Sequence, residues 1–581
     1  MRRFAVSAVL ILVCVTASPA PDAAAQSSPA AAPDASALHR ADVAFRAGYA
    51  AMQAGNLEEA RAGFAQAVEF APNLPEARIA LGVTLVQLNR PEDAIPQFQK
   101  ALELRPGDPG ALANLMSAHE ARARQFASTG DLARAETELR TALAIPSASD
   151  AQLPDAALVS GLDDELGSVL AQQRRWPQAE SAFRDALRIG PDDTASAMPH
   201  LHLGLALVQE KQFPEALAEL AKATQIAPSS ALAQLEYGRA LASGGHDEDA
   251  MPHLKEAVRL TPNLPGASLE LAMTLQRLGQ QQESIPFFQE AVAQEPKNAA
   301  ALTNLGLALT EIGKASDAVP YLKRALAEAP GDPIAHEDLG VAELQQSHFD
   351  EAIAQFEQAR QIDNANSQLH YDLGLAYKFK DRMDDAIREL SQAATLDPKL
   401  PDPPYTLGIL YMQLGRLEES AAQLRAALAL RPGNGDGWAI LGSVLKQVDT
   451  PGAREEAIAA LRKAIDLLPS QPGAHVTLAA ILAQEGKTQE AAAERKIAAG
   501  LSRTAVNRQR AQMNTNAGNQ SLQRGEIADA VSRYLDAIAA DPGFPDAHSQ
   551  LALAYTRQGR LEEAAAERKK AEDATAAAPK P

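Results

Sequence analysis

Cysteine is almost missing. Cys14 is the only one in 581 residues, so no fold stapled by internal disulfides is available. Aromatic residues are scarce at 4%, although 46% of the chain is hydrophobic. That combination suits thin Ala/Leu seams between helices better than one thick core. Positive charge is in deficit. The formal net charge is −20, which argues against a general binder of phosphate backbones, since that needs clustered Lys and Arg. Catalytic signatures are absent as well: there is no H-E-x-x-H, no G-x-S-x-G and no P-loop.

What is present is a repeat. The 34 residues Ala299–Asp332 form its clearest copy. Leu302, Leu305, Leu309 and Ile312 recur at helical spacing and make one apolar stripe. Gly313 follows, a residue able to take the left-handed conformation that closes a helix. A second stripe runs through Ala318, Leu322, Ala325 and Leu326, and Pro330 ends it. The unit is therefore two short helices with a turn after each. Neither buries its stripe alone, so the unit requires stacked copies.

Those copies recur along the chain. The eighth residue of the unit, Gly306, returns as Gly82, Gly204, Gly340, Gly374 and Gly408 among others. The twentieth, Ala318, returns as Ala94, Ala216, Ala352, Ala386 and Ala457. Small residues are needed where the two helices of a hairpin cross closely.

The pattern resembles the tetratricopeptide repeat (TPR) family from about Ala41 to Ala574. The resemblance rests on Leu305-Gly306, on the aromatics Tyr377, Tyr411 and Tyr555, and on the run Ala352, Phe356, Ala359. It implies an all-α, right-handed superhelical solenoid of about fifteen helix-turn-helix repeats, with a partner held on the concave face. It implies no activity. The expectation is a non-enzymatic scaffold without a cofactor or metal, binding a protein or peptide and no nucleic acid.

Residues 1–25 read as a secretory signal peptide: Arg2 and Arg3, an apolar run from Phe4 to Val15, and Ala23-Ala24-Ala25 before Gln26. The run is too short to span a bilayer, and no transmembrane helix is expected in the mature chain. Residues 26–40, rich in Ala and Pro, read as a linker, and 574–581 as a disordered tail. Export points to the periplasm. A scaffold within a polysaccharide-export or outer-membrane assembly apparatus is the alternative.

Between the ends, residues 41–505 read as the main solenoid of about thirteen repeats, and 506–573 as a C-terminal pair. The spacing breaks at 109–159. Ala94 to Ala135 is 41 residues and Ala135 to Ala179 is 44. The first excess reads as a longer first helix through Leu115, Met116 and Phe126. The second reads as a loop at Ser147–Ala157. Pro96, Pro252, Pro286 and Pro320 read as start-of-helix residues, where a missing N–H matters little. Arg503 stands where the closing proline is expected, so helix can continue through this junction, with Gly500 as its weak point; Glu490–Arg510 is locally basic, and Glu563–Lys569 repeats Glu490–Lys496 letter for letter. Arg495 and Arg568 stand where other copies have Leu or Phe.

Histidines in the fourth place of the unit, His336, His370 and His475, read as packing residues. Gly433–Gly437 reads as a turn. Candidate binding residues come from the resemblance, which places certain first-helix positions on the concave wall. Tyr371, Phe379, Tyr405 and Met412 form the candidate peptide patch, since tyrosine offers a large apolar body with a polar tip. Glu236, Glu270, Asp338 and Asp372 form a candidate acidic ladder suited to basic segments.

Overall fold

The computed structural model describes residues 35–145, 156–190 and 196–577. Among them are 29 α-helices and no strand. In sequence they make fifteen first-and-second pairs, because the 36-residue helix Thr488–Gln523 serves as the second helix of one pair and the first of the next. The all-α repeat array expected from the sequence is therefore present. None of the helices is long and apolar enough to cross a membrane. The signal-like segment 1–25, most of the linker and most of the Ser147–Ala157 loop lie outside the described residues.

The chain divides into two compact units at Ile312/Gly313. In the first, helices from Ala35–Gln53 to Ala299–Glu311 follow one another, each packing on its partner within the hairpin and on the next hairpin. The contact inside each hairpin is close. A methyl group added at Gly82 would stand 2.6 Å from the Phe98 ring, and one at Gly204 would stand 2.6 Å from Leu220 Cγ. Ala60, Ala94, Ala179, Ala216 and Ala250, all at the twentieth place, are fully buried. The second unit repeats the arrangement: Gly340 faces Phe356, Gly374 faces Leu390, and Gly442 faces Leu461. Each such Leu or Phe is buried, contributing about 2 kcal/mol of apolar burial.

Several first helices are started by side-chain caps. Asp108 Oδ1 accepts from the Ala111 amide at 2.9 Å, Asn298 Oδ1 from Ala301 at 3.0 Å and Asn434 Oδ1 from Gly437 at 2.9 Å. The Gly433–Gly437 stretch is thus a turn and helix start, as expected. The 20-residue helix Pro109–Ser128 takes up the first excess in spacing.

Several boundaries differ from the sequence reading. The first helix starts at Ala35, inside the stretch read as linker, and the last runs to Ala577, inside the stretch read as tail. The expected break at 505/506 falls inside the unbroken helix Thr488–Gln523. No proline occurs between Arg503 and Arg510, and a single Gly500 costs a helix only about 1 kcal/mol.

The four prolines are also not at helix starts. Pro96, Pro252, Pro286 and Pro320 are each the sixth residue of their helix, in the second turn. They are tolerated there because each is exposed, as are Glu92, Glu248, Gln282 and Ser316, whose carbonyls lose their partner and can turn to water.

Candidate functional site

The candidate residues divide between the two units. In the first, Glu236 and Glu270 stand on consecutive first helices, Ala231–Ser243 and Ala267–Arg277. Arg239 ties them together, with Nη1 3.0 Å from Glu236 and Nε 2.9 Å from Glu270. Burial raises the Glu236 carboxyl and the Glu270 charge adds to this, with Arg239 opposing. The pair is thus partly neutralised and does not present two free carboxylates.

In the second unit, Asp338 is buried at 8% exposure. Asp372 is partly buried on Ser367–Phe379, and its oxygens accept from the Gln368 amide at 3.2 Å. Burial pushes its carboxyl up to about 7; the Gln368 amide opposes this and the Glu337 charge adds to it. Burial raises Glu337 as well, although the Asn366 amide donates to it at 2.8 Å. A solvated ladder of carboxylates is not what these residues make.

The aromatic patch is also rearranged. Tyr371 is half-buried against the cluster around Phe356, Tyr377 and Leu407. Burial raises its hydroxyl, with the Thr406 hydroxyl opposing. Tyr405 is half-buried one hairpin on, against the cluster around Leu424 and Leu441, beside Asn434 and Asp436. Each tyrosine leans on the first helix that follows its own. Phe379 does not join them. It is 56% exposed at the far end of its helix and stacks on Phe349, with ring centroids 5.3 Å apart.

Met412 marks the most suggestive feature, one the sequence reading caught only through that residue. It lines a cavity of about 340 Å³ with Ala439, Ile440, Ser443, Ala474 and Thr477. The cavity exists because the bulky fifth and ninth residues of the preceding unit, Tyr405 and Ile409, give way to Ala439 and Ser443. That change of size was the available signal. The cavity offers apolar walls with two hydroxyls, at Ser443 and Thr477, and so suits a side chain inserted from a peptide.

The described residues contain no group of three or more His, Cys, Asp or Glu able to hold a metal. His200 and His202, two apart, turn to different partners: Glu219 at 2.5 Å and Asp164 at 2.9 Å.

Stacked two-helix hairpins with a small residue at each crossing define an all-helical repeat protein. Sequence profiles described as tetratricopeptide repeat match residues 45–109, 79–154, 201–265, 269–333 and 337–401, and residues 380–444; a further TPR repeat profile matches 518–559. The first alone covers more than half of the chain, and the chain belongs to the tetratricopeptide repeat family.

Among solved structures, YrrB, a TPR protein with an unusual peptide-binding site, is 22% identical over 31% of this chain and 92% of its own, at a TM-score of 0.28. A tetratricopeptide repeat protein from Parabacteroides merdae is 17% identical over 45% of this chain and 98% of its own, at 0.32. Cut9 with Hcn1, an APC/C hetero-tetramer, is 14% identical over 89% of this chain and 97% of its own, at 0.31. No curated relative matches.

Proposed function

We propose that the chain is a non-enzymatic scaffold that holds a protein or peptide partner along the first helices of its second unit. The observation that carries this is the cavity of about 340 Å³ at Met412, Ala439 and Ser443. The half-buried rings of Tyr371 and Tyr405 lie on the preceding first helices. They are restrained by packing, so a partner would order few side chains on contact. The raised carboxyls of Asp372 and Glu337 favour a partner that brings a cation or a hydrogen-bond donor. The signal-like pattern of residues 1–25 supports a location in the cell envelope, in the periplasm.

The test is capture from an envelope extract, with the retained proteins identified by mass spectrometry. Ala439→Phe with Ser443→Phe fills the cavity, and Tyr371→Ala with Tyr405→Ala removes the rings. Both variants should lose the same retained partner while keeping the helical circular dichroism of the parent chain. Capture unchanged by both would remove this face from consideration.

A further inference from the structure

The helix Thr488–Gln523 carries a face that nothing in its unit covers. Arg495, Ala499, Ser502, Val506, Gln509 and Met513 recur every three or four residues, so they share one side over about 27 Å. All six are exposed, Val506 at 62% and Met513 at 64%. The face opens at its N-terminal end into a cleft of about 400 Å³, lined by Val476, Ala480, Arg495, Ala498, Ala499 and Ser502.

The origin of the cleft is visible one hairpin earlier. There Leu461 and Ala464 of the second helix Ala453–Leu467 are buried, and the next first helix, Pro472–Gln484, packs against that helix. In the following hairpin Arg495 replaces the leucine, and the chain continues straight where it would otherwise turn back. The place of a further first helix is left open.

The same construction occurs twice. A second cleft, of about 690 Å³, is lined by Ser549, Leu553, Arg568, Ala571, Glu572 and Thr575, each 73 residues on from its counterpart. Only the first cleft runs on into a long exposed face.

Charge selects the occupant. Glu490–Arg510 holds five cations against two carboxylates in a chain of net charge −20. Of the carboxylates, Glu494 is engaged by His475 at 2.5 Å; of the cations, Arg508 is engaged by Asp541 at 3.0 Å. Lys496, Arg503 and Arg510 line one flank of this face. Arg510 contacts only the Asn507 amide oxygen, and no ion pair involves Arg495, Lys496, Arg503 or Arg510 among the described residues.

We infer that this face docks an amphipathic α-helix of a partner protein, one with small apolar residues on its buried side and a row of carboxylates along one edge. The helix takes the place that a further first helix would fill. A concave cleft bounded by two helices receives the ridges of a helix, whereas a bilayer surface would leave it empty. The cleft shares the helix Pro472–Gln484 with the cavity at Met412 but has no lining residue in common with it, and the inference does not rest on the proposed function.

The probe is a synthetic peptide of about 20 residues, with Ala and Leu on one face and Glu along one edge, titrated against the full chain by fluorescence anisotropy. Lys496→Glu with Arg503→Glu should weaken it at least tenfold. Val506→Asp with Met513→Asp should do the same. Tyr371→Ala with Tyr405→Ala should leave it unchanged. All the substituted residues of the first two variants are exposed, and unaltered thermal unfolding of those variants confirms that only the surface has changed. Absence of binding, or binding indifferent to either double substitution, overturns the inference. So does retention on anionic phospholipid vesicles, lost in the same variants, without peptide binding.

Discussion

His370 Nδ1 lies 2.7 Å from Glu389 Oε2, nineteen residues on, with both side chains 3% exposed. The same spacing pairs His119 with Glu138, His475 with Glu494 and His548 with Glu567. It also pairs His336 with Gln355 and, with the histidine on the second helix and the fourth place taken by glutamine, His253 with Gln234. A fourth-place histidine thus clips the first helix of a hairpin to the second. Glu389 is held further by Arg360 at 2.9 Å. His370→Leu removes one partner of a buried carboxylate that Arg360 still holds, and should cost about 2 kcal/mol. His370→Leu with Glu389→Leu should cost less, since no buried carboxylate remains and the partly exposed Arg360 can turn to water. Denaturant midpoints of both single variants and of the double variant check this; a double loss equal to the sum of the two single losses would mean that the two residues act independently.

The turns inside the hairpins hold a second prediction. Most use glycine at positive φ, as at Gly415 (φ 73°). Arg174, Lys211 and Ser347 adopt the same conformation, at φ of 59°, 61° and 63°. A side chain there costs roughly 1–2 kcal/mol. Ser347→Gly should therefore gain about 0.5–1 kcal/mol after the added freedom of the unfolded chain is subtracted. Gly415→Ser should lose a similar amount. A rise in the thermal midpoint for the first and a fall for the second are the expected outcomes.

Asp372 gives a pH dependence. Its carboxyl is pushed by burial from the ordinary 3.8 up to about 7. Between those values the folded chain keeps a proton that the unfolded chain has lost. Stability therefore declines as pH rises through that window, and levels off above it. Asp372→Asn removes the dependence. It should stabilise the chain at about pH 8 by on the order of 1–2 kcal/mol, the group being only partly shielded from solvent. At about pH 4 the variant and parent should agree. Urea midpoints at both values read the difference, and a parallel offset at the two would assign the effect to something other than the proton.

The period of 34 made the hairpins legible, because Gly306, Ala318 and Pro330 mark physical necessities: a close crossing, a small contact and a helix stop. The long helix Pro109–Ser128 was legible for the same reason, since seven added residues keep the apolar phase. The binding face was less so. Whether Asp338 is solvated or buried, or whether Arg239 spans two carboxylates, depends on how far neighbouring helices overlap, and that overlap has no signature in spacing. Phe379 was grouped with Tyr371 because the family resemblance puts both unit positions on the concave wall, but eight residues separate them by about 12 Å of rise, and Phe379 stacks on Phe349 at the other end. The fused helix was half legible: the missing proline at Arg503 showed the turn was lost, while the face thereby left bare follows only from the straight course of the helix.

Placing the helix starts a few residues late hid the strain at Pro252, and that strain is testable. In Asp247–Leu260 the proline is the sixth residue, so the Glu248 carbonyl lacks its amide partner and faces the ring. A proline well inside a helix costs about 3 kcal/mol relative to alanine. Proximity to the helix start and solvent at Glu248 reduce this, and the stiffness of proline in the unfolded chain returns about 0.4–1 kcal/mol. Pro252→Ala should therefore gain about 1–2 kcal/mol locally. In a repeat array, opening is not confined to one global transition, so the readout is amide hydrogen exchange across residues 250–260. Those amides should exchange about tenfold more slowly in the variant. Pro214, the exposed second residue of the helix Phe213–Ile226, is the control. Pro214→Ala restores an amide that no helix carbonyl was waiting for, and exchange in residues 215–226 should not slow. If both substitutions slow exchange alike, the gain is a property of alanine and the second-turn prolines carry no strain.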